Sequence, residues 1–201
     1  MSLSVLDWRR AVTGLYEQVR AEADPERGWG VWRAGRDELF GSHPASPLPA
    51  ESREDFSGLW YAPYNPAKRL GLLPVEPADP VRIEVPTATD GVVPYTRIGR
   101  LRLSGLGALD VWWLESYGGG IFVPLRDATA GDQTYGGGRY LIDTVKGADL
   151  GGSGNRLMVD LNFAYNPSCA YDAAWQCPLA PPGNVLTDPV YAGELAWPHP
   201  T

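Results

Sequence analysis

From Phe56 onward, apolar and polar residues alternate with a period of two, and this alternation constrains the fold more than any other feature. Turns that contain glycine or proline separate the alternating segments, with no helical pattern between them. A succession of short strands of this kind favours an antiparallel barrel or sandwich over an α/β fold. The predicted strands span residues 56–61, 81–86, 95–104, 108–115, 120–126, 139–145 and 157–165.

The N-terminal part of the chain has helical periodicity instead. Apolar residues recur at helical spacing over 3–20, which predicts an amphipathic helix packed on the sheet. A second, shorter helix is predicted over 29–40, and Asp24-Pro25 separates the two. Three prolines within 41–49 exclude regular structure there, so this stretch is predicted to cross from the helices to the sheet.

The length of the chain fits a single domain. With 201 residues, one core buries enough surface to fold without disulfides, metals or an obligate partner. We therefore predict one domain over 1–201, in which a helical segment, 1–48, packs on a β body that spans 49–201. The chain beyond Asn166 is rich in proline and is predicted to be coil. The expected class is mainly β, an antiparallel barrel or sandwich with two N-terminal helices and a proline-rich C-terminal coil.

The charge of the chain argues against several classes of partner. Its net charge is −7 at pH 7, and no basic run alternates with aromatic residues, so neither a nucleic acid nor a membrane is an expected partner. No apolar run reaches the roughly eighteen residues that a membrane span needs. Asp7, Arg9 and Arg10 stand where a secretory signal needs apolar residues, and a cytoplasmic location is expected.

The two cysteines, Cys169 and Cys177, do not make a disulfide framework. A zinc site would need two further ligands, and the histidines of the chain are His43 and His199. We therefore expect both thiols to be reduced in the cell and to bind no metal, and no cofactor is predicted. Catalysis by Cys169 would require His43 to reach it.

A long loop, residues 127–140, carries three consecutive glycines. Such a run can hold a phosphate with its backbone N–H groups, but a P-loop needs Gly-Lys-Ser/Thr and a following helix. Here a strand that begins at Arg139 follows instead. Two interpretations stay open: a hairpin loop with Asp127 and Arg139 paired across its neck, or a loop that binds a ligand.

Residues 158–166 alternate between an apolar face and a polar face, and the polar face carries Asp160, Asn162 and Asn166. This polar face either meets solvent or lines a pocket beside the 127–140 loop.

Known catalytic patterns are incomplete in this sequence. Gly151–Asn155 reads Gly-Gly-Ser-Gly-Asn and lacks the last glycine of a nucleophile elbow, and no His-Glu-x-x-His occurs. A pair of carboxylates that act as general acid and base stays open. The candidates for such a pair are Asp127, Asp132, Asp160 and Glu194.

Several C-terminal segments resemble a known family. They read Asp-Ala-Thr-Ala-Gly-x-x-Thr-Tyr-x-Gly-Gly-Arg-Tyr-Leu over 127–141, Asp-Leu-Asn-Phe-Ala-Tyr-Asn-Pro-Ser-Cys-Ala-Tyr over 160–171, and Cys-Pro-Leu-Ala-Pro-Pro-Gly-Asn over 177–184. With Ala-Gly-Glu over 192–194 and the earlier Phe56-x-Gly-Leu59, they are similar to the bacterial and archaeal family catalogued as domain of unknown function 1684. The resemblance implies no reaction, because the family is named for having none assigned.

At four positions the chain departs from the pattern of that family. Ala130 stands in place of serine, Ser168 in place of an aromatic residue, Ala180 in place of proline and Gly183 in place of glutamate. An activity that depended on the hydroxyl at 130 or the acid at 183 would lack that group at its usual position here.

The leading functional hypothesis is a binding module for a small polar or anionic ligand. The rival is a hydrolase-type enzyme that uses a carboxylate or Cys169, and a third interpretation makes the polar groups purely structural. The ligand is expected on one concave site, formed by Tyr135, Arg139, Asp160, Asn162 and residues of 166–177. The candidate ligand-binding residues are Asp127, Thr134, Tyr135, Arg139, Tyr140, Asp160, Asn162, Tyr165, Asn166, Cys169, Tyr171 and Glu194.

Overall fold

Eight strands form one antiparallel sheet in the structure, a computed structural model that describes residues 3–87 and 91–197. In chain order they are β1 (Arg69–Glu76), β2 (Arg82–Thr87), β3 (Gly91–Leu103), β4 (Gly107–Leu114), β5 (Ile121–Leu125), β6 (Arg139–Asp143), β7 (Gly152–Ser153) and β8 (Arg156–Asp160). Their order in the sheet is β6-β5-β4-β3-β1-β8-β7, and β2 pairs with the first half of β3. The sheet curls into a half-barrel, which confirms the predicted antiparallel, mainly β class.

Helices α1 (Leu3–Ala21), α2 (Pro25–Ser42) and the short α3 (Ala50–Arg53) precede the sheet. The first predicted helix is confirmed, but α2 begins at Pro25 and not at 29. Asp24 caps this helix, because its Oδ1 accepts hydrogen bonds from the backbone N–H groups of Glu26 and Arg27, both at 3.0 Å. Asp24-Pro25 is therefore a helix start, as an N-cap followed by proline at the first helical position commonly is.

One predicted strand is absent from the sheet, and one strand of the sheet was not predicted. Residues 56–61 are coil with an isolated bridge between Tyr61 and Glu194, whereas β1, which the prediction omitted, lies between β3 and β8. Pro74 breaks the alternation of β1, yet it lies in register opposite Arg156. A proline inside a strand weakens the sequence signal for that strand, which is why the central β1 is hard to see.

The strand predicted over 157–165 ends at Asp160. There the Asp160 carboxylate accepts a hydrogen bond from the backbone N–H of Asn162 and turns the chain into one turn of 3₁₀-helix, Leu161–Phe163. An aspartate that bonds to the backbone two residues on favours a turn over continued pairing. The two clean faces predicted over 158–166 are therefore not formed.

The sheet packs on its two faces against different parts of the chain. On what we call the coil face, strand residues such as Leu101 and Leu125 pack with Leu186, Val190 and Ala192 of the C-terminal coil. On the helix face, aromatic strand residues pack against the helices; this cluster includes Trp29, Trp32, Tyr95, Trp112, Phe122 and Tyr140. Among the described residues, no helix combines the length and the apolar character needed to cross a membrane.

The C-terminal coil is held by backbone bonds, such as those of Arg126 with Asn184 and Leu186, and by side-chain hydrogen bonds. Asn184 accepts a hydrogen bond from the indole N–H of Trp112 at 2.8 Å, and its amide donates to the carbonyl oxygens of Asp110 and Pro124. The Asn184 side chain is fully buried. A buried amide with all these bonds satisfied fixes the coil against the sheet.

Candidate functional site

The predicted site residues divide into four clusters. The Arg139 cluster contains Asp127, Thr134 and Arg139; the Glu194 cluster contains Tyr165, Asn166, Tyr171 and Glu194. The thiol cluster contains Tyr135, Tyr140 and Cys169, and the Asp160 cluster contains Asp160 and Asn162.

The Arg139 cluster is a closed network at the neck of the 127–140 loop. The predicted pair forms, with Arg139 Nη2 donating to Asp127 Oδ2 at 2.8 Å, and both side chains are at most 1% exposed. The same guanidinium donates to three carbonyl oxygens of the C-terminal coil: those of Val190, Ala192 and Glu194. Arg139 therefore joins the loop to the coil, and its Nε is a buried donor without a hydrogen-bond partner among the described residues.

The second carboxylate oxygen of Asp127 also accepts hydrogen bonds from the protein. Its Oδ1 accepts hydrogen bonds from the backbone and hydroxyl of Thr129, at 2.9 and 2.7 Å, and from the backbone N–H of Val190 at 3.0 Å. Burial acts to raise the pKa of Asp127, but the Arg139 charge and these hydrogen bonds outweigh it and hold the pKa below its usual value. Asp127 is therefore an anion whose partners all belong to the protein.

The Glu194 cluster joins the C-terminal coil to α2. Arg36 Nη2 donates to Glu194 Oε2 at 2.7 Å, and its guanidinium lies over the rings of Trp32, Phe40 and Tyr165. Tyr171 donates to the other Glu194 oxygen, and the backbone N–H of Asn166 donates to Oε2 at 2.9 Å. Burial raises the pKa of Glu194, which the Arg36 charge opposes. This network is also enclosed, since Glu194 is 1% exposed.

The thiol cluster lies at the start of the proline-rich segment. The Tyr135 hydroxyl donates to the Cys169 sulfur, 3.6 Å away. Lys146 lies over the ring of Tyr140, 5.5 Å from its centre, and acts on Cys177 through its charge. Both cysteines are free thiols and half-buried.

The Asp160 cluster is organised by a bulge in β1. The register of β1 against β8 shifts between Arg69 and Gly71, where Gly71 has a φ of +80°. This shift places Arg69 directly opposite Asp160, so both side chains lie on the same face of the sheet. Arg69 Nε stands 3.8 Å from Asp160 Oδ2, which is an ion pair without a direct hydrogen bond.

Asn162 holds Asp160 in place. The Asn162 amide donates to Asp160 Oδ1 at 2.7 Å, and the same side chain exchanges two hydrogen bonds of 2.9 Å with the backbone of Asn65. Among the described residues, no group donates a hydrogen bond to Asp160 Oδ2. Burial raises the pKa of Asp160, while the bonds from Asn162 and the Arg69 charge oppose that rise. Oδ2 is therefore the oxygen of this carboxylate that can accept a further hydrogen bond.

A cleft of about 300 Å³ opens beside Asp160 and Arg69, where the end of α1 and the start of α2 meet the sheet. Its apolar wall consists of Val19, Leu150, Met158 and Phe163, together with the small residues Ala23 and Gly28 and with Pro25. Its charged groups are Arg20, Glu22, Arg69 and Asp160. Glu22 is paired with Arg27 at 3.1 Å, and Arg20 donates to the carbonyl oxygen of Asp149. Of the remaining two charges, Arg69 is 38% exposed and Asp160 is 2% exposed.

The four clusters do not meet in one concave site, so the predicted convergence is wrong. Arg139 lies opposite Leu125 in the hairpin and therefore shares the coil face with it. Val159 also lies on the coil face. Because successive side chains of a strand point to opposite faces, the next residue of β8, Asp160, lies on the helix face. Arg139 and Asp160 thus point to opposite sides of the sheet. Which of the twelve candidate residues contact a ligand stays a prediction.

The Cys–His arrangement considered for catalysis does not form around His43. The His43 ring accepts a hydrogen bond from the backbone N–H of Ala45 through Nδ1, and its Nε2 stands 3.4 Å from Asp7. His199 lies outside the described residues. Within residues 3–87 and 91–197, no group of three or more His, Cys, Asp or Glu side chains could hold a metal ion.

Three residues that matter in these clusters were missed by sequence reasoning: Arg36, Arg69 and Lys146. Arg36 reads as one more charge on the outer face of a helix, and Arg69 belongs to the strand that Pro74 conceals. The glycine at 71 beside two leucines was the available signal for a bulged strand there. Nothing in the sequence around Lys146 indicates its position beside Cys177.

Gly183, which replaces the glutamate of the resembled family, lies against a carboxylate from another element. A Cβ added at this glycine would stand 1.9 Å from Asp110 Oδ2. Asp110 pairs with Arg97 at 3.0 Å and with Arg100 at 2.6 Å. An acid is therefore present at this place in the fold, although β4 supplies it.

Comparisons with known proteins agree with the resemblance noted in the sequence. The family model described as "Protein of unknown function (DUF1684)" matches residues 54–195. The chain is also similar to an uncharacterized protein of Haloarcula marismortui, known from a solution NMR structure, with 34% sequence identity and a TM-score of 0.58 over 87% of this chain and 96% of that one. No curated protein matches the chain. The chain therefore belongs to the DUF1684 family of proteins of unknown function.

Proposed function

We propose that the chain binds a small polar molecule in the cleft that Asp160 and Arg69 share. The observation that carries the proposal is the loose ion pair, in which the two charged groups stand 3.8 Å apart at an open cleft. Among the described residues, neither Asp160 Oδ2 nor the Arg69 guanidinium has a hydrogen-bond partner. Concave surfaces with a few unsaturated polar groups on an apolar wall are the usual form of small-molecule sites.

The two groups indicate the chemistry of the ligand. The Arg69 guanidinium is a planar set of N–H donors that suits a carboxylate or a phosphate. Asp160 Oδ2 is an acceptor, so a hydroxyl or amino group of the ligand could donate a hydrogen bond to it. The cleft volume of about 300 Å³ lies at the lower end of ordinary ligand cavities, which limits the ligand to a small metabolite. The ligand expected is a hydroxy or amino acid, or a sugar phosphate.

Arg69, and not Arg139 as the sequence suggested, is the arginine proposed to bind an anionic group of the ligand. Both terminal nitrogens of Arg139 already donate to Asp127 or to carbonyl oxygens of the coil, and the side chain is fully buried, so an anion there would have to displace protein groups. Arg69 is 38% exposed and can turn toward a ligand without breaking a hydrogen bond. The hydrogen bond from Asn162 to Asp160 Oδ1 leaves Oδ2 available to a ligand.

The experiment is a calorimetric titration of the protein with single compounds from three classes: amino acids, hydroxy acids and sugar phosphates. A compound that binds should lose at least about tenfold in affinity with Asp160→Asn and with Arg69→Met, because each change removes one charged contact. Asp160→Asn is a mild change, since an amide oxygen can still accept the bond from the backbone of Asn162.

Arg102→Met is the matched control. Arg102 pairs with Glu76 at 3.0 Å on the exposed surface of β3 and does not line the cleft. Its replacement should leave the affinity unchanged. If a compound binds equally well to the wild type and to both cleft variants, or if no compound of the three classes binds, the proposed function is wrong.

A further inference from the structure

The outer side of β2 is an open edge of the sheet. Within the part of the chain that the structure describes, β2 pairs with β3 alone. A strand with one unpaired side can accept a further strand through its backbone groups. No residue of β2 lines the cleft of Asp160 and Arg69, so this edge is a surface that the proposed ligand site does not use.

The pairing of β2 with β3 determines which backbone groups face outward. The backbone N–H of Arg97 donates to the carbonyl oxygen of Val81 at 2.8 Å, and the register continues without a shift through β2. Hydrogen-bonded and non-hydrogen-bonded pairs alternate along an antiparallel ladder. The N–H and C=O groups of Arg82 and Glu84 therefore point away from β3. Pro86 has the same orientation but presents only a carbonyl oxygen.

The side chains of β2 divide between an apolar face and a charged face. Ile83 and Val85 are half-buried against the aromatic cluster of the helix face, and Val81, which shares their side by alternation, is 39% exposed. Arg82 and Glu84 lie on the other face and are 59% and 63% exposed. The charged face thus carries one positive and one negative side chain two residues apart.

We propose that two copies of the chain pair through β2 in an antiparallel dimer whose two-fold axis passes through Ile83. In this arrangement Arg82 lies opposite the partner's Glu84, and Glu84 lies opposite the partner's Arg82. The outward backbone groups of these residues then form hydrogen-bonded pairs across the axis, which joins the two sheets into one. Opposite charges that face each other directly stabilise such a pair of strands.

The apolar face of β2 is self-complementary about the same axis. Ile83 meets the partner's Ile83, and Val81 meets the partner's Val85. β-Branched side chains pack well on a pleated surface, and this contact covers the exposed part of Val81. Both faces of the strand therefore match a second copy in the same register.

The charges and prolines of the edge disfavour the neighbouring registers. An axis at Arg82 would place two arginines opposite each other, and an axis at Glu84 would do the same with two carboxylates. An axis at Glu84 would also place Arg82 opposite Pro86, which has no N–H to donate. In the proposed register, Pro80 lies opposite the partner's Pro86, beyond the bonded pairs. The prolines therefore end the ladder without interrupting it.

The existing contacts of Arg82 leave it able to bind a partner. Its Nε donates to Glu115 Oε2 at 3.3 Å, and its Nη1 stands 3.8 Å from Glu84 Oε1. Among the described residues, neither Nη group of Arg82 has a hydrogen-bond partner, and none donates to the Glu84 carboxylate. A second copy supplies both missing partners, because it brings one acid and one arginine to the same place.

The test is sedimentation velocity of the full chain from about 10 µM to about 500 µM, a range in which a small interface dissociates. Wild type should change from a species of 21.8 kDa toward twice that mass as the concentration rises. Arg82→Glu and Glu84→Arg each place like charges opposite each other. Each should therefore weaken self-association at least about tenfold.

An equimolar mixture of these two variants should associate again, at least as tightly as wild type. Arg82→Glu presents two acids at the edge and Glu84→Arg presents two arginines, so a mixed dimer has opposite charges at each facing pair. Both variants keep a net negative charge, so attraction between the whole molecules would not produce this result. Recovery in the mixture also shows that each variant is folded.

Arg102→Glu is the matched control, because it makes the same change of charge at an exposed position on β3. It should associate as wild type does. The proposal is wrong if wild type stays monomeric over the whole range, since the charges and prolines would then only protect the edge from pairing. It is also wrong if Arg102→Glu weakens association as much as Arg82→Glu, or if the mixture of the two edge variants does not associate.

Discussion

Arg139 with Asp127 and Arg69 with Asp160 are both arginine–aspartate pairs, yet they lie on opposite faces of the sheet and differ in almost every contact. The first pair is hydrogen-bonded at 2.8 Å and buried beneath the C-terminal coil. The second stands 3.8 Å apart at the edge of a cleft, with its arginine 38% exposed. The first, closed pair has only the buried Arg139 Nε left without a partner, whereas the second, open pair has an arginine that solvent reaches and a carboxylate oxygen without a donor.

The difference between the pairs arises from where their remaining hydrogen bonds go. Around Arg139, the carbonyl oxygens of 190–194 and the donors to Asp127 come from the protein itself, so the pair holds the coil to the sheet. Around Asp160, Asn162 satisfies only Oδ1. A polar group that is fully satisfied within the fold serves stability, and one that is half satisfied beside a cleft is available for binding.

The largest effect is expected from Arg139→Met. The change leaves Asp127 buried without its counter-charge and frees three carbonyl oxygens of the coil, so the free energy of unfolding should fall by about 3–5 kcal/mol. Urea denaturation followed by tryptophan fluorescence measures it. Arg102→Met, at an exposed pair, should change stability by less than about 1 kcal/mol. Equal losses for the two variants would mean that the closed pair does not anchor the coil.

A smaller loss is expected from Glu194→Gln. The amide keeps one of the two acceptor oxygens, so either Tyr171 or the backbone N–H of Asn166 loses its acceptor, and the charge that faces Arg36 is removed. The loss should be about 1–3 kcal/mol in the same denaturation experiment. Glu76→Gln, which faces the exposed Arg102, is the matched control and should change stability little. If Glu194→Gln leaves the free energy of unfolding unchanged, the charge of Glu194 contributes nothing to stability.

The two aspartates should respond to pH with opposite signs. The pKa of Asp127 is lowered in the fold, so its stabilising effect is complete above the ordinary carboxyl value of 3.8 and is lost as pH falls through the lowered pKa. The pKa of Asp160 is raised, so its effect is most favourable below 3.8 and is lost as pH rises through the raised pKa.

The corresponding variants make this prediction measurable by denaturation between pH 3 and 8. Asp127→Asn should be less stable than wild type at pH 7, with a deficit that shrinks toward pH 3. Asp160→Asn should be at least as stable as wild type at pH 7, with an advantage that disappears toward pH 3. Parallel pH curves for the two variants would contradict the assignment of one closed and one open carboxylate.

The smallest effect is expected from Arg69→Met without ligand. A half-exposed arginine at 3.8 Å from its partner contributes about 0–1 kcal/mol, so the denaturation midpoint should stay close to that of wild type. The same substitution at Arg139 gives the largest effect, which makes the two variants a direct comparison. A loss with Arg69→Met as large as that with Arg139→Met would show that the open pair is structural too.

The sequence predicts the strands whose alternation is uninterrupted, and it predicts the Asp127–Arg139 pair because both residues flank one hairpin loop. It does not predict β1, whose Pro74 and Gly71 hide the alternation, and with β1 it loses Arg69. The sequence also does not predict that Arg139 and Asp160 lie on opposite faces of the sheet. It depends on which face each strand turns toward the helices, and long-range packing decides that rather than local pattern.

Backbone-amide NMR of the full chain, recorded with amino acids, hydroxy acids and sugar phosphates added in turn, tests most directly whether the open pair is the ligand site. We expect a binding compound to shift amides at the cleft, in 19–28, 69–71 and 158–163, and to leave those of 127–139 and 190–194 unchanged. Shifts confined to 127–139 and 190–194 would place the ligand at Arg139 and contradict the account, as would no shift with any compound.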